Sequence, residues 1–175
     1  MIYIGNELKQ NISTKVVHGG KGYDPQTGAV SVPIYQSATF RHPGLYQTTG
    51  YDYSRLQNPT REELENTIAN LENGRFGFAF SSGMAAISTI LSIFSPGDHI
   101  IISDDIYGGT YRLFEEVYAK YGIQFSYVDT SNIKDVEAAI KDNTKAFFVE
   151  TPTNPMMKVA DLRKIATLAK SKEIL

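Results

Sequence analysis

The sequence predicts an α/β fold, a three-layer αβα arrangement with a mainly parallel sheet, preceded by an extended N-terminal arm. From Thr60 onward, short β-rich runs alternate four times with amphipathic helical runs through short linkers, which is typical of βαβ units. Before that point the chain is rich in Gly, Pro, Tyr, Ser and Thr and has little periodicity. We therefore divide the chain into an arm at 1–59 and an α/β part at 60–175.

Composition narrows the function classes. The chain has 175 residues, with 17 basic and 19 acidic side chains and a net charge of −2, which argues against nucleic acid or an anionic membrane as the main partner. Without cysteine it has no disulfide and no thiol nucleophile. Three scattered histidines predict no metal site. The absence of a long apolar run and of a secretion signal predicts a cytoplasmic protein.

The arm is expected to contain a short periodic segment at 13–18 and turns at Asp24-Pro25 and Pro43-Gly44. A structureless segment of this length is uncommon inside a compact domain. We therefore expect the arm to lie across another part of the protein or across a neighbouring subunit.

The first strong helix signal follows the arm. Thr60 and Glu63 have the spacing of a capping box, apolar residues then recur at helical spacing as far as Leu71, and Gly74 is expected to end the helix.

Strands and helices then alternate to the end of the chain. The expected strands are 76–81, 99–103, 123–128 and 145–150, and the expected helices are 82–94, 110–121, 133–140 and 161–171. Ile174-Leu175 resembles the start of another strand, and an uncovered sheet edge there would be exposed. We therefore expect the chain to be the N-terminal part of a longer protein. In parallel sheets ligands bind beyond the carboxyl ends of the strands, so the segments that follow the strands are the ones to search.

The segment Phe80–Ala86, FSSGMAA, runs from a predicted strand into a predicted helix. Amide groups at a helix N-terminus bind phosphate, and Gly83 would let a ligand approach the backbone closely. An ordinary serine N-cap at Ser82 is the alternative.

Two further segments carry possible ligand contacts. Tyr53 and Arg55 lie on alternate residues and could form a phosphate clamp, the alternative being a surface ion pair before a turn. Tyr107 follows a strand and precedes two glycines, where its ring could cover a planar ligand, the alternative being a core tyrosine.

The segment FFVETPTNPMM, residues 147–157, places Glu150 and Asn154 directly after the last predicted strand. The Asn154 amide could bind a ligand oxygen, and two prolines stiffen the segment. A proline-rich connection without a ligand role is the alternative.

The order and spacing of these motifs resemble one family. The runs TGAVSVPIYQSATF, YDYSRLQNPTREELE, LENGRFGFAFSSGMAAI, PGDHIIISDDIYGGTYRLFE and VETPTNPMMKVADL are similar to the cysteine/methionine-metabolism family of pyridoxal-phosphate enzymes, from about Thr14 onward. That family includes cystathionine γ-synthase, cystathionine β- and γ-lyases, methionine γ-lyase and O-acylhomoserine sulfhydrylases. The resemblance implies an incomplete large domain of a fold-type I transferase, with pyridoxal 5′-phosphate as cofactor.

The resemblance also implies roles for single residues. Gly83 and Met84 would bind the cofactor phosphate with Ser82 beside them, and Tyr107 would stack on the pyridine ring. Asn154 would lie near the ring hydroxyl, with Glu150 supporting the loop. The resemblance implies that Tyr53 and Arg55 reach the phosphate from a neighbouring subunit, in a dimer of dimers. Tyr107 and Tyr53 are the candidate catalytic residues.

The implied reaction is elimination from cystathionine or γ-replacement on an O-acylhomoserine, with a sulfur-containing amino acid as substrate. Methionine γ-lyase and O-acetylhomoserine sulfhydrylase activities are alternatives, although Gly109 stands where some γ-lyases carry cysteine. The family's Schiff-base lysine, pyridinium aspartate and substrate-binding arginine have no counterpart here and are expected beyond residue 175. An inactive fragment that acts only in subunit association is the alternative of another class.

Overall fold

The computed structural model describes residues 11–18 and 23–175. The chain forms two compact units, the first ending at Ala79 and the second spanning Phe80–Leu175. Residues 1–10, on which part of the expectation about secretion depends, lie outside the described residues. The functional division at residue 59 stays a prediction.

The first unit contains two helices, α1 at Ile12–His18 and α2 at Pro59–Leu71. The α2 helix begins two residues earlier than a capping box at Thr60 predicts, because Asn58 is the N-cap and its side chain accepts a hydrogen bond from the Thr60 amide at 2.9 Å. The Thr60 hydroxyl instead donates to the carbonyl of Pro33 at 3.0 Å. The sequence offers two cap-forming residues, Asn58 and Thr60, and does not show that a distant carbonyl binds the hydroxyl of Thr60.

The predicted strand at 76–81 is wrong: these residues form no strand within the part of the chain that the structure describes. The segment instead runs along α2, where the Ala79 amide donates to the Glu65 carboxylate at 2.9 Å. Gly77 lies so close to α2 that an added Cβ would be 2.3 Å from the Glu65 carbonyl oxygen. The alternation in this segment therefore places Gly77 and Ala79 against the helix, while Phe76 and Phe78 are exposed.

Between α1 and α2, the described residues of the first unit form turns and an antiparallel bridge of Thr39 with Tyr53. The Asp24 carboxylate accepts from the amide of Gln26 and the hydroxyl of Thr27, and these bonds lower the pKa of Asp24. The Gln47 amide closes the second predicted turn on the Gly44 carbonyl at 3.1 Å.

The second unit is a parallel sheet with helical connections. Its elements are α3 Gly83–Leu91, β1 His99–Ser103, α4 Gly108–Glu116, a 3₁₀ turn Tyr118–Tyr121, β2 Gln124–Val128, α5 Ile133–Ala138, β3 Thr144–Phe148 and α6 Leu162–Ser171. The strand order is β2-β1-β3 and both pairings are parallel. Among the described residues this sheet has three strands rather than the four expected, since 76–81 does not join it.

The alternation of side chains along β1 accounts for the layers. Ile100 and Ile102 pack in one cluster with Leu91 of α3 and Phe114 of α4. The intervening residues of β1 face the other side of the sheet, and all five residues of β1 are buried. Because right-handed crossovers from β1 to β2 and back to β3 place α4 and α5 on opposite faces, the sheet lies between two helical layers.

The predicted helix at 110–121 is interrupted. The α4 helix ends at Glu116, a 3₁₀ turn follows, and Gly122 closes it with a φ of 86°. A Cβ on Gly122 would lie 3.2 Å from the Pro96 side chain, so glycine is favoured by both its backbone angle and its surroundings. Among residues 11–18 and 23–175 we find no helix long and apolar enough to cross a membrane.

Candidate functional site

The carboxyl ends of β1, β2 and β3 share one edge of the sheet because all three strands are parallel. The helices α3 and α4 pack against each other, and the tight turn closed by the Asp98 amide on the Ser95 carbonyl reverses the chain between α3 and β1. The N-termini of α3 and α4 therefore point toward the same edge as the strand ends. Six of the eight predicted site residues belong to this unit.

The N-terminus of α3 presents free amide groups. The Ser82 hydroxyl caps the helix by accepting from the Ala85 amide at 3.1 Å, and the Ser82 carbonyl accepts from the Ala86 amide at 3.1 Å. The amides of Gly83 and Met84 lie in the first turn of α3, where no carbonyl four residues earlier belongs to the helix. They therefore have no hydrogen-bond partner within the helix. An added Cβ on Gly83 would meet no atom within 4 Å. This turn can therefore receive an anion against bare backbone.

Tyr107 occupies the N-cap of α4, and about half of its side chain is exposed. Its ring lies over Gly109, where an added Cβ would be 2.4 Å from the ring carbon Cε1. A ring that is both exposed and supported from below by glycine can present a face to a planar ligand.

Glu150 connects the ends of β1 and β3. Its carboxylate accepts from the Tyr107 amide at 3.1 Å, and its own amide donates to the Ser103 hydroxyl at 3.1 Å. Ser103 is buried and its hydroxyl contacts that of Thr130, which follows β2, at 2.8 Å. Glu150 thus positions the backbone of Tyr107 from a neighbouring strand.

Asn154 lies at an exposed position in the loop that follows β3. Beside it, Thr153 is buried and its hydroxyl donates to the Asp105 carboxylate. The same Asp105 oxygen accepts from the Met156 amide at 2.7 Å. The loop that carries Asn154 is therefore anchored to the segment that leads to Tyr107.

Lys158 forms a cluster of charged side chains with Asp104 and Asp129 in this loop region. Its ammonium donates to both carboxylate oxygens of Asp104, at 3.1 and 2.9 Å, and to Asp129 at 3.2 Å. Hydrogen bonds from Lys158 to Asp104 and then to Asp129 raise the pKa of Lys158. The pKa of Asp129 is lowered, first by hydrogen bonds from Ser131 and then by Lys158. This lysine therefore stays charged and ties together the ends of all three strands.

Tyr53 and Arg55 belong to the first unit. Tyr53 forms an antiparallel bridge with Thr39, and the Arg55 guanidinium lies 3.4 Å from the Tyr53 hydroxyl and 5.1 Å from the centre of its ring. Both side chains are exposed. The alternate spacing thus brings a phenol and a guanidinium together, and their role toward a phosphate stays a prediction.

Sequence reasoning missed the residues that hold the site together. Asp105, Thr153 and Lys158 have no motif of their own, and their partners are far away in the sequence. One signal was present, since the acidic residues Asp104 and Asp129 each directly follow a strand.

A cavity of about 210 Å³ lies elsewhere, in the first unit, and none of the predicted site residues line it. Three tyrosines border it: Tyr23, Tyr35 and Tyr51. The Tyr51 hydroxyl donates to the Glu62 carboxylate, and this bond raises the pKa of Tyr51 to about 12. That hydroxyl therefore stays protonated at neutral pH.

Known proteins are similar to this chain over most of its length. Residues 13–175 match the family described as Cys/Met metabolism PLP-dependent enzyme. The chain is 54% identical over 165 residues to a cystathionine β-lyase of Lactococcus lactis subsp. cremoris, covering 94% of this chain and 43% of the relative. It is 52% identical over 168 residues to a cystathionine γ-synthase/O-acetylhomoserine (thiol)-lyase of Bacillus subtilis, covering 96% and 45%.

A solved structure shows the same fold. The crystal structure of cystathionine γ-lyase from Lactobacillus plantarum complexed with L-serine matches with a TM-score of 0.89 and 49% identity, covering 95% of this chain and 43% of that one. The chain thus spans a little under half the length of the relatives that it matches.

Proposed function

Because the chain belongs to the family of Cys/Met metabolism PLP-dependent enzymes, we propose that its protein makes or breaks carbon–sulfur bonds in sulfur amino acids with pyridoxal 5′-phosphate. The reaction is β- or γ-elimination of cystathionine, or γ-replacement on an O-acylhomoserine. The observation that carries the proposal is the pair of amides at Gly83 and Met84, which have no partner within α3, in the same unit as the half-exposed ring of Tyr107.

The residues present fit the cofactor. A phosphate needs hydrogen-bond donors and positive potential, and the N-terminus of α3 offers both without a side chain in the way at Gly83. A pyridine ring needs a flat apolar surface, which Tyr107 offers. Asn154 would supply an amide to the ring hydroxyl, and Glu150 would hold Tyr107 through its backbone.

When bound, pyridoxal phosphate supplies the electron sink for charge that develops on the amino acid substrate. The chain's own residues bind and orient. Ser82 orders the first turn of α3 through its cap, so that the amides of Gly83 and Met84 point outward. Tyr107 limits the motion of the ring and is the candidate for moving a proton at its hydroxyl.

We further propose that the protein is a homo-oligomer, a dimer of dimers, in which Tyr53 and Arg55 complete the phosphate site of a neighbouring subunit. Arg55 offers a planar set of donors that suits a phosphate, and its contact with Tyr53 orients it. Tyr53 would lie near the amine of the substrate as a second candidate for proton transfer. In a mixed oligomer, Arg55→Ala subunits should weaken the phosphate sites of their wild-type neighbours.

The choice between reactions rests on a substrate assay of the intact protein that contains this chain. Relatives named for β-lyase, γ-synthase and γ-lyase activities lie within 49–54% identity, so identity does not separate them. Cystathionine, O-acetylhomoserine with cysteine, and methionine are supplied in turn, and pyruvate, 2-oxobutyrate and sulfide are measured. We expect turnover of cystathionine or of O-acetylhomoserine and little of methionine. No product from any substrate would reject the enzyme proposal and favour a role in subunit association alone.

The phosphate contact is tested by Gly83→Ala. Alanine favours the helix by up to about 1 kcal/mol over glycine, so the fold should be retained. The added methyl would nevertheless occupy the space that a phosphate needs against the backbone. We expect at least a tenfold weaker affinity for pyridoxal phosphate in an absorbance titration, with the melting temperature unchanged or higher. An unchanged affinity would reject the phosphate site.

A further inference from the structure

Two loops at the carboxyl edge of the sheet are connected in both directions. The β1 loop, residues 104–107, carries Tyr107, and the β3 loop, residues 150–158, carries Asn154. Glu150 of the β3 loop accepts from the Tyr107 amide, and Asp105 of the β1 loop accepts from the β3 loop in return. Glu150 of the β3 loop thus holds the β1 loop, and Asp105 of the β1 loop holds the β3 loop.

The Asp105 side of this connection consists of several hydrogen bonds. One carboxylate oxygen, Oδ2, accepts both the Thr153 hydroxyl and the Met156 amide. The Thr153 hydroxyl also accepts from the Lys158 amide at 2.9 Å, and the Thr153 amide donates to the Lys158 carbonyl at 3.0 Å. Only 2% of Thr153 is exposed, so water cannot readily replace its partners. Thr153 is therefore the point at which the β3 loop closes on itself and on Asp105.

Asp105 and Thr153 are both close in sequence to a candidate cofactor contact. Asp105 is two residues from Tyr107, and Thr153 directly precedes Asn154. Because the Asp105–Thr153 pair joins the segments that carry the two candidate cofactor contacts, we expect a change in that pair to alter both contacts.

We propose that Asp105 is a positioning residue that sets the Tyr107 ring and the Asn154 amide relative to each other through Thr153. The proposal rests on the proposed function, since it assigns Tyr107 and Asn154 to one bound cofactor. Asp105 itself touches neither substrate nor cofactor in this account. A carboxylate suits this role because it only accepts hydrogen bonds, so it can bind the Thr153 hydroxyl and the Met156 amide at the same time.

Lys158 has a separate effect on the same edge. Its ammonium binds Asp104 of the β1 loop and Asp129 after β2 but not Asp105, so it joins the two loops at a second point that does not involve Thr153. Lys158→Met therefore serves as a comparison in which the edge is weakened while the Asp105 contacts stay.

The test uses a matched pair at Thr153 in the intact protein loaded with pyridoxal phosphate. Thr153→Val keeps the shape but removes the hydroxyl, whereas Thr153→Ser keeps the hydroxyl. We expect Thr153→Val to lower kcat about 10- to 100-fold with a much smaller change in KM, since misplaced contacts affect the reaction more than binding. Thr153→Ser should restore most of the loss.

Two readouts separate positioning from simple stability. The visible circular dichroism of the bound cofactor reports the asymmetry of its contacts, and we expect it to change in Thr153→Val and in Asp105→Asn. Hydrogen exchange at the Tyr107 amide should become faster in both variants, even without cofactor, because the loop that carries Glu150 loosens. Asp142→Asn, at an exposed residue before the amino end of β3, is the matched control and should leave all readouts unchanged.

A lower melting temperature with unchanged kcat, circular dichroism and Tyr107 exchange would overturn the proposal and leave Asp105 a purely structural residue. If Asp105→Asn does not fold, the Thr153 pair decides by the same criteria. If the wild-type protein binds no cofactor, the proposed function fails. Tyr107 exchange then still reports whether the two loops are coupled.

Discussion

The two compact units hold similar side chains in different ways. In the second unit, Ile102, Leu91 and Phe114 are completely buried between the sheet and its helices. In the first unit, residues as apolar as Val30 and Leu45 are more than 80% exposed. A parallel sheet covers both of its faces with helices, whereas the irregular segment 23–58 has no second layer to cover it.

The connections differ in the same way. The second unit is joined by a backbone ladder from β2 through β1 to β3. The first unit depends on single bonds from side chains to backbone, such as Thr60 to Pro33 and Asn58 to Tyr35. The second unit can thus hold a site rigidly by itself. The exposure in the first unit supports the proposal that a neighbouring subunit covers it. Four predictions test this contrast.

The largest expected effect compares a phenylalanine from each unit. Phe114→Ala removes a fully buried ring that stacks on Phe125 at 4.9 Å and contacts Phe148 edge-on at 5.3 Å. We expect a loss of about 3–5 kcal/mol in the free energy of unfolding, measured by urea denaturation. Phe78→Ala, at a ring that is mostly exposed, should cost less than about 1 kcal/mol. Equal costs would show that the two units are packed alike.

A second prediction concerns acid and applies to the second unit alone. Burial, and then the charge of Lys141, lowers the pKa of His99 to about 4. The neutral ring contacts the Thr144 and Ser126 hydroxyls, each at 2.8 Å. The unfolded chain, with a pKa near 6.5, therefore binds more protons than the folded one between these values. The contribution of His99 is complete above pH 6.5 and declines as the pH falls toward 4, by up to about 3 kcal/mol.

The measurement is urea unfolding across that pH range for the wild type and for His99→Gln. Glutamine does not titrate, so its stability should depend less steeply on pH than that of the wild type. Parallel pH profiles would contradict the assignment of this acid sensitivity to His99.

A third prediction compares alanine substitutions at two glycines, one beside backbone that cannot move and one beside a side chain that can. Gly77→Ala places a methyl against the Glu65 carbonyl of α2, and backbone cannot move aside without disturbing the helix. We expect a loss of about 2 kcal/mol in urea unfolding. Gly109→Ala meets only the half-exposed ring of Tyr107, which can rotate away, so its cost should be under about 1 kcal/mol. A larger cost at Gly109 would show that the Tyr107 ring is held firmly in place.

The smallest expected effect compares two helix caps. Asn58→Ala removes the cap of α2 and also the hydrogen bonds from Asn58 to the Tyr35 carbonyl and the Ser54 hydroxyl. We expect it to lower the free energy of unfolding by about 1.5 kcal/mol. Ser82→Ala removes the hydrogen bond from the Ala85 amide and should lower the free energy of unfolding by about 1 kcal/mol. Thermal unfolding of both variants checks the order. The reverse order would mean that irregular segments of the first unit do not depend on Asn58.

The second unit was predicted from the sequence more accurately than the first. The bounds of β1 are those expected, and Ser82 begins α3 as expected, because a buried strand and a serine cap both have strong local signals. The expected strand at 76–81 failed because a Phe-rich alternation fits a strand in a sheet and a segment lying on a helix equally well. The N-cap is Asn58 rather than Thr60, and the Thr60 hydroxyl binds the carbonyl of Pro33, which is 27 residues from Thr60 in the sequence.

The candidate site divides in the same manner. Gly83, Tyr107 and Asn154 lie in segments that follow a predicted strand or open a predicted helix, so the order of elements placed them among the segments to search. The resemblance to the family then selected them. Nothing local selected Asp105 and Thr153, which are separated by 48 residues. Their contact exists because β1 and β3 are neighbours, and the strand order β2-β1-β3 is a property of the whole sheet.

By itself, the sequence determined the α/β class, the alternation of elements in the second unit and the motifs that identify the family, since these depend on residue type and short spacing. Only the tertiary structure decided which strands are neighbours, which carboxylate receives which loop, and which tyrosine ring stays exposed. These depend on side chains brought together across the sheet, and the free energy of such contacts is defined only once the strands have taken their places.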